Sequence, residues 1–268
     1  METVKATTSL AGWQSVESAA YYSLSPNPEV VVLGGLGDDS QAMEATVSYL
    51  ESEKLHAAGV IIEYPGSSTE AILATLSTAL PSVIHAINGS AGLEESTPRH
   101  IVGVSLGGGE ALLSVQLALA TNPQIYGNIA LINSIGIANQ FFKPRPIRTF
   151  NDRRRLKSIA ADWQPQATNQ NHEVARLRYF LETDDFPQFI EQVLSSGYKL
   201  YICLANNDVM FRPEEIEQVL SEVKHQNLAV VRIPGNGGHA SLTSELGRRQ
   251  VAFAVRLVEN GAIDHRDN

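Results

Sequence analysis

Short apolar runs alternate with longer amphipathic stretches along most of this chain. Runs at 30–33, 59–63, 101–104, 128–132, 199–205 and 228–233 are rich in Val and Ile. Continuous apolar character of this kind predicts strands covered on both faces, because strands exposed on one face show a two-residue alternation instead. Helical periodicity fills the intervals 40–57, 69–87, 108–121, 213–224 and 241–258. Two less buried strands are expected near 4–10 and 18–24. Strand–helix–strand repetition predicts an α/β fold with a mostly parallel sheet and helices on both faces.

The segment 137–197 breaks this alternation. It has no convincing core strand, yet it holds Phe141, Phe142, Phe150, Phe180, Phe186 and Phe189, six of the eight phenylalanines. It is also richer in basic than in acidic side chains, with Lys143, Arg145, Arg148, Arg153, Arg154, Arg155 and Lys157 close together, whereas the rest of the chain is acidic. The shift predicts a helical cap at 137–197, inserted into a core made of 1–136 and 198–268. Residues 88–98 read as a polar loop.

Composition removes several function classes. The chain has 268 residues and 43% hydrophobic content, enough for a large core. Its net charge of −9 argues against nucleic acid as a partner, since phosphate binding needs a dense basic surface. A single cysteine, Cys203, excludes an internal disulfide and a cysteine-based zinc site. No unbroken run of 18 apolar residues and no basic-then-apolar leader is visible, so stable membrane insertion is not expected and the cytoplasm is the expected location. Neither a metal nor a cofactor is expected.

Gly103-Val104-Ser105-Leu106-Gly107 fits G-x-S-x-G and lies between a predicted strand and a predicted helix. Such a turn exposes the serine hydroxyl, and the helix N-terminus aims partial positive charge at any anion formed beside it. A serine needs a base, and that base should come from another loop at the C-terminal edge of the sheet. His239, in Gly237-Gly238-His239 after the run 228–233, meets this requirement. His56 and His85 read as helical and His100 lies at the start of its strand. His172, His225 and His265 lie in the cap, near a helix end and near the C-terminus. Asp208 follows the run 199–205 at the same edge, and it would hold the imidazole tautomer and stabilise the imidazolium. A tetrahedral oxyanion needs backbone donors. Leu106 N–H is one, and Leu36 N–H in the Gly34-Gly35-Leu36-Gly37 loop is the other, with Gly35 as the fallback. The stretch Gly35-Leu36-Gly37-Asp38-Asp39-Ser40 is a poor dinucleotide fingerprint. Its third glycine is replaced by Ser40, and two acids would face the pyrophosphate.

Together these residues resemble the α/β-hydrolase superfamily over nearly the whole chain. Residues 31–38 look like its oxyanion segment, Tyr64-Pro65-Gly66 like the following strand-end turn, 103–107 like its nucleophile elbow, 207–213 like its acid loop and 237–239 like its histidine loop. The resemblance implies an eight-stranded, mostly parallel sheet with the cap inserted after the sixth strand. It also implies a serine esterase or lipase-like enzyme using Ser105, Asp208 and His239. One departure stands out: Gly34-Gly35 replaces the usual His-Gly of the oxyanion segment. Expected substrate contacts are Gly35, Val209 and Met210 beside the site, and Phe141 and Phe142 from the cap. The expected partner is a small-molecule ester or acyl substrate. Thioesters, lactones and C–C bonds are chemical relatives of that substrate, and a ligand-binding protein without catalysis is the competing reading. Ser105 rather than Asp at the elbow disfavours a dehalogenase or epoxide hydrolase.

Overall fold

The computed structural model describes residues 12–120, 124–137, 176, 179–180, 183, 186–208, 210–235 and 237–261. Eight strands form one sheet: β1 (Gln14–Val16), β2 (Ala19–Ser23), β3 (Val30–Leu33), β4 (Ala57–Ile62), β5 (Arg99–Val104), β6 (Tyr126–Ile132), β7 (Leu200–Ala205) and β8 (Leu228–Ile233), in the order β1-β2-β4-β3-β5-β6-β7-β8. β2 runs antiparallel to β1 and β4, and all later pairings are parallel. Every residue of β3 and β7 is buried, which explains their unbroken apolar sequences.

The described helices are α1 (Ser40–Ser52), α2 (Thr69–Ser90), α3 (Leu106–Ala118), α4 (Phe186–Ser195), α5 (Pro213–Leu220) and α6 (Glu245–Asn260). Side-chain caps set several of their starts. Asp39 accepts from Ala42 N, Ser68 from Ala71 N and Ser244 from Gly247 N. One face of the sheet packs on α2, α3, α4 and α5 through residues such as Leu76, Leu112, Phe186 and Ile216. The other packs on α1 and α6 through Met43, Leu50, Val251 and Val255. α2 has the length and apolarity of a membrane-crossing helix, at 22 residues and mean hydropathy 1.4. Its apolar side is turned inward, however, with Ile72, Leu76, Leu80, Val83 and Ile84 in the core.

Some expectations shift. The strand sought at 4–10 lies outside the described residues, and β1 is instead the short, half-exposed Gln14–Val16. His56 is not helical. α1 stops at Ser52, Lys54 takes φ 61°, and His56 sits in the loop before β4. The last helix begins at Glu245 rather than 241, because Ser244 is its cap. Most of the expected cap at 137–197, with Phe141, Phe142, Phe150, Trp163 and the basic run, lies outside the described residues, as do Val209, His172 and His265. The described end of that segment, α4, packs against α3, and Phe180 and Phe186 are fully buried there.

Cys203 lies in β7 with no exposure, and burial pushes its thiol from 9.0 up to about 12. Between those values only the unfolded chain loses the thiol proton. Stability present below about pH 9 is therefore lost as pH rises toward 12, by at most ~1.4 kcal/mol per pH unit for one group. Buried Tyr126 and Tyr201, also raised by desolvation, act in the same direction. The urea midpoint is expected to be lower at pH 10.5 than at pH 8. Ellman's reagent should find no thiol in the native protein and one equivalent after unfolding.

Candidate active site

β5 delivers the chain to Ser105, and α3 begins one residue later. Ser105 has φ 53° and ψ −115°, a conformation that side-chain-bearing residues rarely adopt. Neighbouring bonds hold it there: Ser105 N donates to Ile132 O at 2.9 Å, and Ser105 O accepts from Gly108 N and Ile135 N, both at 3.1 Å. The two motif glycines are required by contact. A Cβ on Gly103 would lie 2.5 Å from Gly107 O, and one on Gly107 would lie 2.3 Å from Gly34 O. Sheet, elbow and glycine loop therefore meet backbone to backbone.

His239 and Asp208 arrive from the ends of β8 and β7. His239 Nε2 stands 2.9 Å from Ser105 Oγ, and His239 Nδ1 stands 2.8 Å from Asp208 Oδ2. The carboxylate can only accept, so Nδ1 carries the proton and Nε2 is free to accept from the serine hydroxyl. Asp208 has a fully buried side chain, and its second oxygen accepts from Met210 N at 2.7 Å and Phe211 N at 2.9 Å. These bonds aim the acid. Asn207 N donates to Gly237 O and Gln250 Nε2 donates to Gly238 O, tying the acid loop, histidine loop and α6 together. Asn133 Oδ1 accepts from Ala205 N and so holds the end of β7 against β6. The imidazole is one-fifth exposed and lies 5.4 Å from the Phe211 ring.

Of the expected oxyanion donors, the fallback Gly35 N–H is already engaged, donating to Asp38 Oδ2 at 2.6 Å. Leu106 N–H heads α3, and Leu36 N–H follows the anchored Gly35. Gly35 lies against the serine, where a Cβ would be 3.0 Å from Ser105 Cβ. Met210 is partly buried and its amide is bonded to the acid.

Two polar features were not legible in the sequence. Asp38 bridges two loops. Glu110, in the apolar helix α3, is buried and accepts from Tyr64 Oη at 2.8 Å and from the Arg176 guanidinium, which also lies 4.4 Å over the Tyr64 ring. Burial and the Glu110 carboxylate hold the Tyr64 phenol well above its ordinary range. A lone acid in an otherwise apolar helix was the available signal for Glu110, since a buried charge requires a partner. Among the described residues, no group of three or more His, Cys, Asp or Glu could hold a metal. A cleft of about 460 Å³ lined by Ser96, Tyr126, Asn128 and Tyr198 lies at the opposite sheet edge and presents no charged side chain.

No protein-family model matches the chain, and no curated protein sequence matches it. Solved structures do. A thermophilic esterase from Thermogutta terrifontis aligns with TM-score 0.58 at 14% identity, over 91% of this chain and 93% of that one. An alpha/beta hydrolase from a Medee basin deep-sea metagenome library aligns with TM-score 0.58 at 17% identity, over 95% and 99%. An epoxide hydrolase from Bacillus megaterium aligns with TM-score 0.54 at 14% identity, over 92% and 99%. The chain has the α/β-hydrolase fold. Because these neighbours are described as different kinds of hydrolase, the fold alone does not select a reaction.

Proposed function

We propose that this protein is a serine hydrolase of carboxylic esters that works through an acyl-enzyme. The observation carrying this is the continuous Ser105–His239–Asp208 hydrogen-bond relay on a strained strand-to-helix turn. His239 takes the Ser105 proton as Oγ attacks the ester carbonyl. Leu36 and Leu106 N–H groups bind the oxyanion, the imidazolium protonates the leaving alcohol, and water then releases the acid by the same steps. Thioesters and lactones fit the same chemistry. Gly35 and Met210, with Val209, Phe141 and Phe142, are the proposed surroundings of the acyl group, and segment 137–197 is the proposed cap. The lone buried Cys203 is in keeping with a reducing, cytoplasmic setting.

A p-nitrophenyl ester series from acetate to decanoate tests this. Turnover with a preferred acyl length is expected, and it should be lost in His239→Ala, which removes the base. Saturable ester binding without turnover at any pH would instead mean a binding protein.

A further inference from the structure

The Gly34-Gly35 departure leaves the oxyanion loop without an imidazole, and the space beside Gly34 is already filled. A Cβ there would lie 3.0 Å from Asp38 Cβ, 3.2 Å from Leu242 Cδ1 and 3.3 Å from Met43 Cε. The neighbouring carboxylate is engaged at both oxygens. Oδ2 accepts from Gly35 N at 2.6 Å, and Oδ1 accepts from Leu242 N at 3.2 Å. Gly35 immediately precedes the Leu36 donor, and Leu242 lies three residues after His239. One side chain thus joins the loop that would bind the oxyanion to the loop that carries the base.

We infer that Asp38 is a positioning residue that sets the Leu36 N–H against Ser105 and keeps the oxyanion loop in register with His239. This rests on the serine-hydrolase reading and goes beyond it, since Asp38 touches no reacting atom. The first bond is short and charge-assisted, the kind that fixes a peptide's orientation. That bond fixes the Gly34–Gly35 peptide, and the next peptide, which carries the Leu36 N–H, is held by the same residue, because Gly35 O accepts from Asp38 N at 3.3 Å. Burial raises the Asp38 carboxyl above its ordinary range, while the Gly35 and Leu242 amides and the His239 charge oppose that rise. Ionised Asp38 and the imidazolium therefore attract each other. Asp39 stands next to it with a different task, capping α1 through Ala42 N.

Asp38→Asn keeps the shape but offers one acceptor oxygen where two N–H groups point. On p-nitrophenyl acetate its kcat should fall about 10- to 100-fold, a share of what losing one oxyanion donor costs, with KM within about threefold. Affinity for a trifluoromethyl ketone, which forms a tetrahedral oxyanion on serine, should fall by the same factor as kcat/KM. If Asp38→Asn does not fold, Asp38→Glu carries the test: it keeps the charge but displaces it by a methylene, and the same kcat loss at steady KM is expected. Unchanged kcat in either folded variant, or a change in KM alone, overturns the inference while leaving an active wild type intact. A wild type that neither hydrolyses the ester nor binds the ketone removes the hydrolase reading and this one with it.

Discussion

Ser105→Ala is expected to remain folded and to lose about 10⁶-fold in ester turnover. The substitution removes one oxygen from a residue that is only 6% exposed, and Ala tolerates φ 53° no worse than Ser does. The melting temperature should move by a few degrees at most. His239→Ala should cost nearly as much in kcat, and combining the two should cost little more, because nucleophile and base act as one unit. Asp208→Asn should sit below both. It would keep the Met210 and Phe211 amide bonds through one oxygen while favouring the wrong imidazole tautomer. Steady-state kinetics on one p-nitrophenyl ester, read beside thermal melts, separates these effects from misfolding.

Gly107→Ala is expected to damage both the fold and the site, through a single added methyl. Its Cβ would fall 2.3 Å from Gly34 O, 2.7 Å from Leu33 O and 2.9 Å from Leu33 C. These are backbone atoms of β3 and the glycine loop, so no rotamer change relieves the overlap. α3 must move away from the sheet, and Leu106 N–H and Leu36 N–H move apart with it. A loss of about 3 kcal/mol or more is expected, at the upper end of overpacking costs, together with loss of turnover. Gly89→Ala supplies the contrast. Gly89 lies within α2 with no atom within 4 Å of an added Cβ, so about 0.5–1 kcal/mol of stabilisation is expected from helix propensity. Urea denaturation of the two variants beside wild type measures both signs.

Most of what could be read from the sequence followed burial; β8 is the exception, since 228–233 reads as covered on both faces but is an edge strand buried only at Ile233, with Val230 38% exposed. β3 to β7 were legible because both faces are covered and their residues are apolar almost throughout. β1 was not, since Gln14 and Ser15 are exposed and the strand has three residues. Helix ends were displaced where a tertiary feature sets them. α3 starts at Leu106 because the strained Ser105 turn leads directly into it, whereas the local pattern placed the start at Gly108. Ser105, Asp208 and His239 were legible because each follows a predicted strand, and parallel strands bring their C-terminal ends to one edge. Asp38 was not, because its partner Leu242 is 204 positions away and an acid after a glycine loop has many local uses. The Glu110–Arg176–Tyr64 cluster was hidden for the same reason, since Arg176 comes from a segment without strand periodicity.

The most direct measurement is peptide mass mapping of the protein after treatment with a fluorophosphonate. A single phosphonyl adduct on the serine of the Gly103–Gly107 turn is expected, formed in wild type and abolished in His239→Ala. No adduct on that serine at a pH where imidazole is neutral, or equal labelling with and without His239, would contradict a nucleophile activated by this relay.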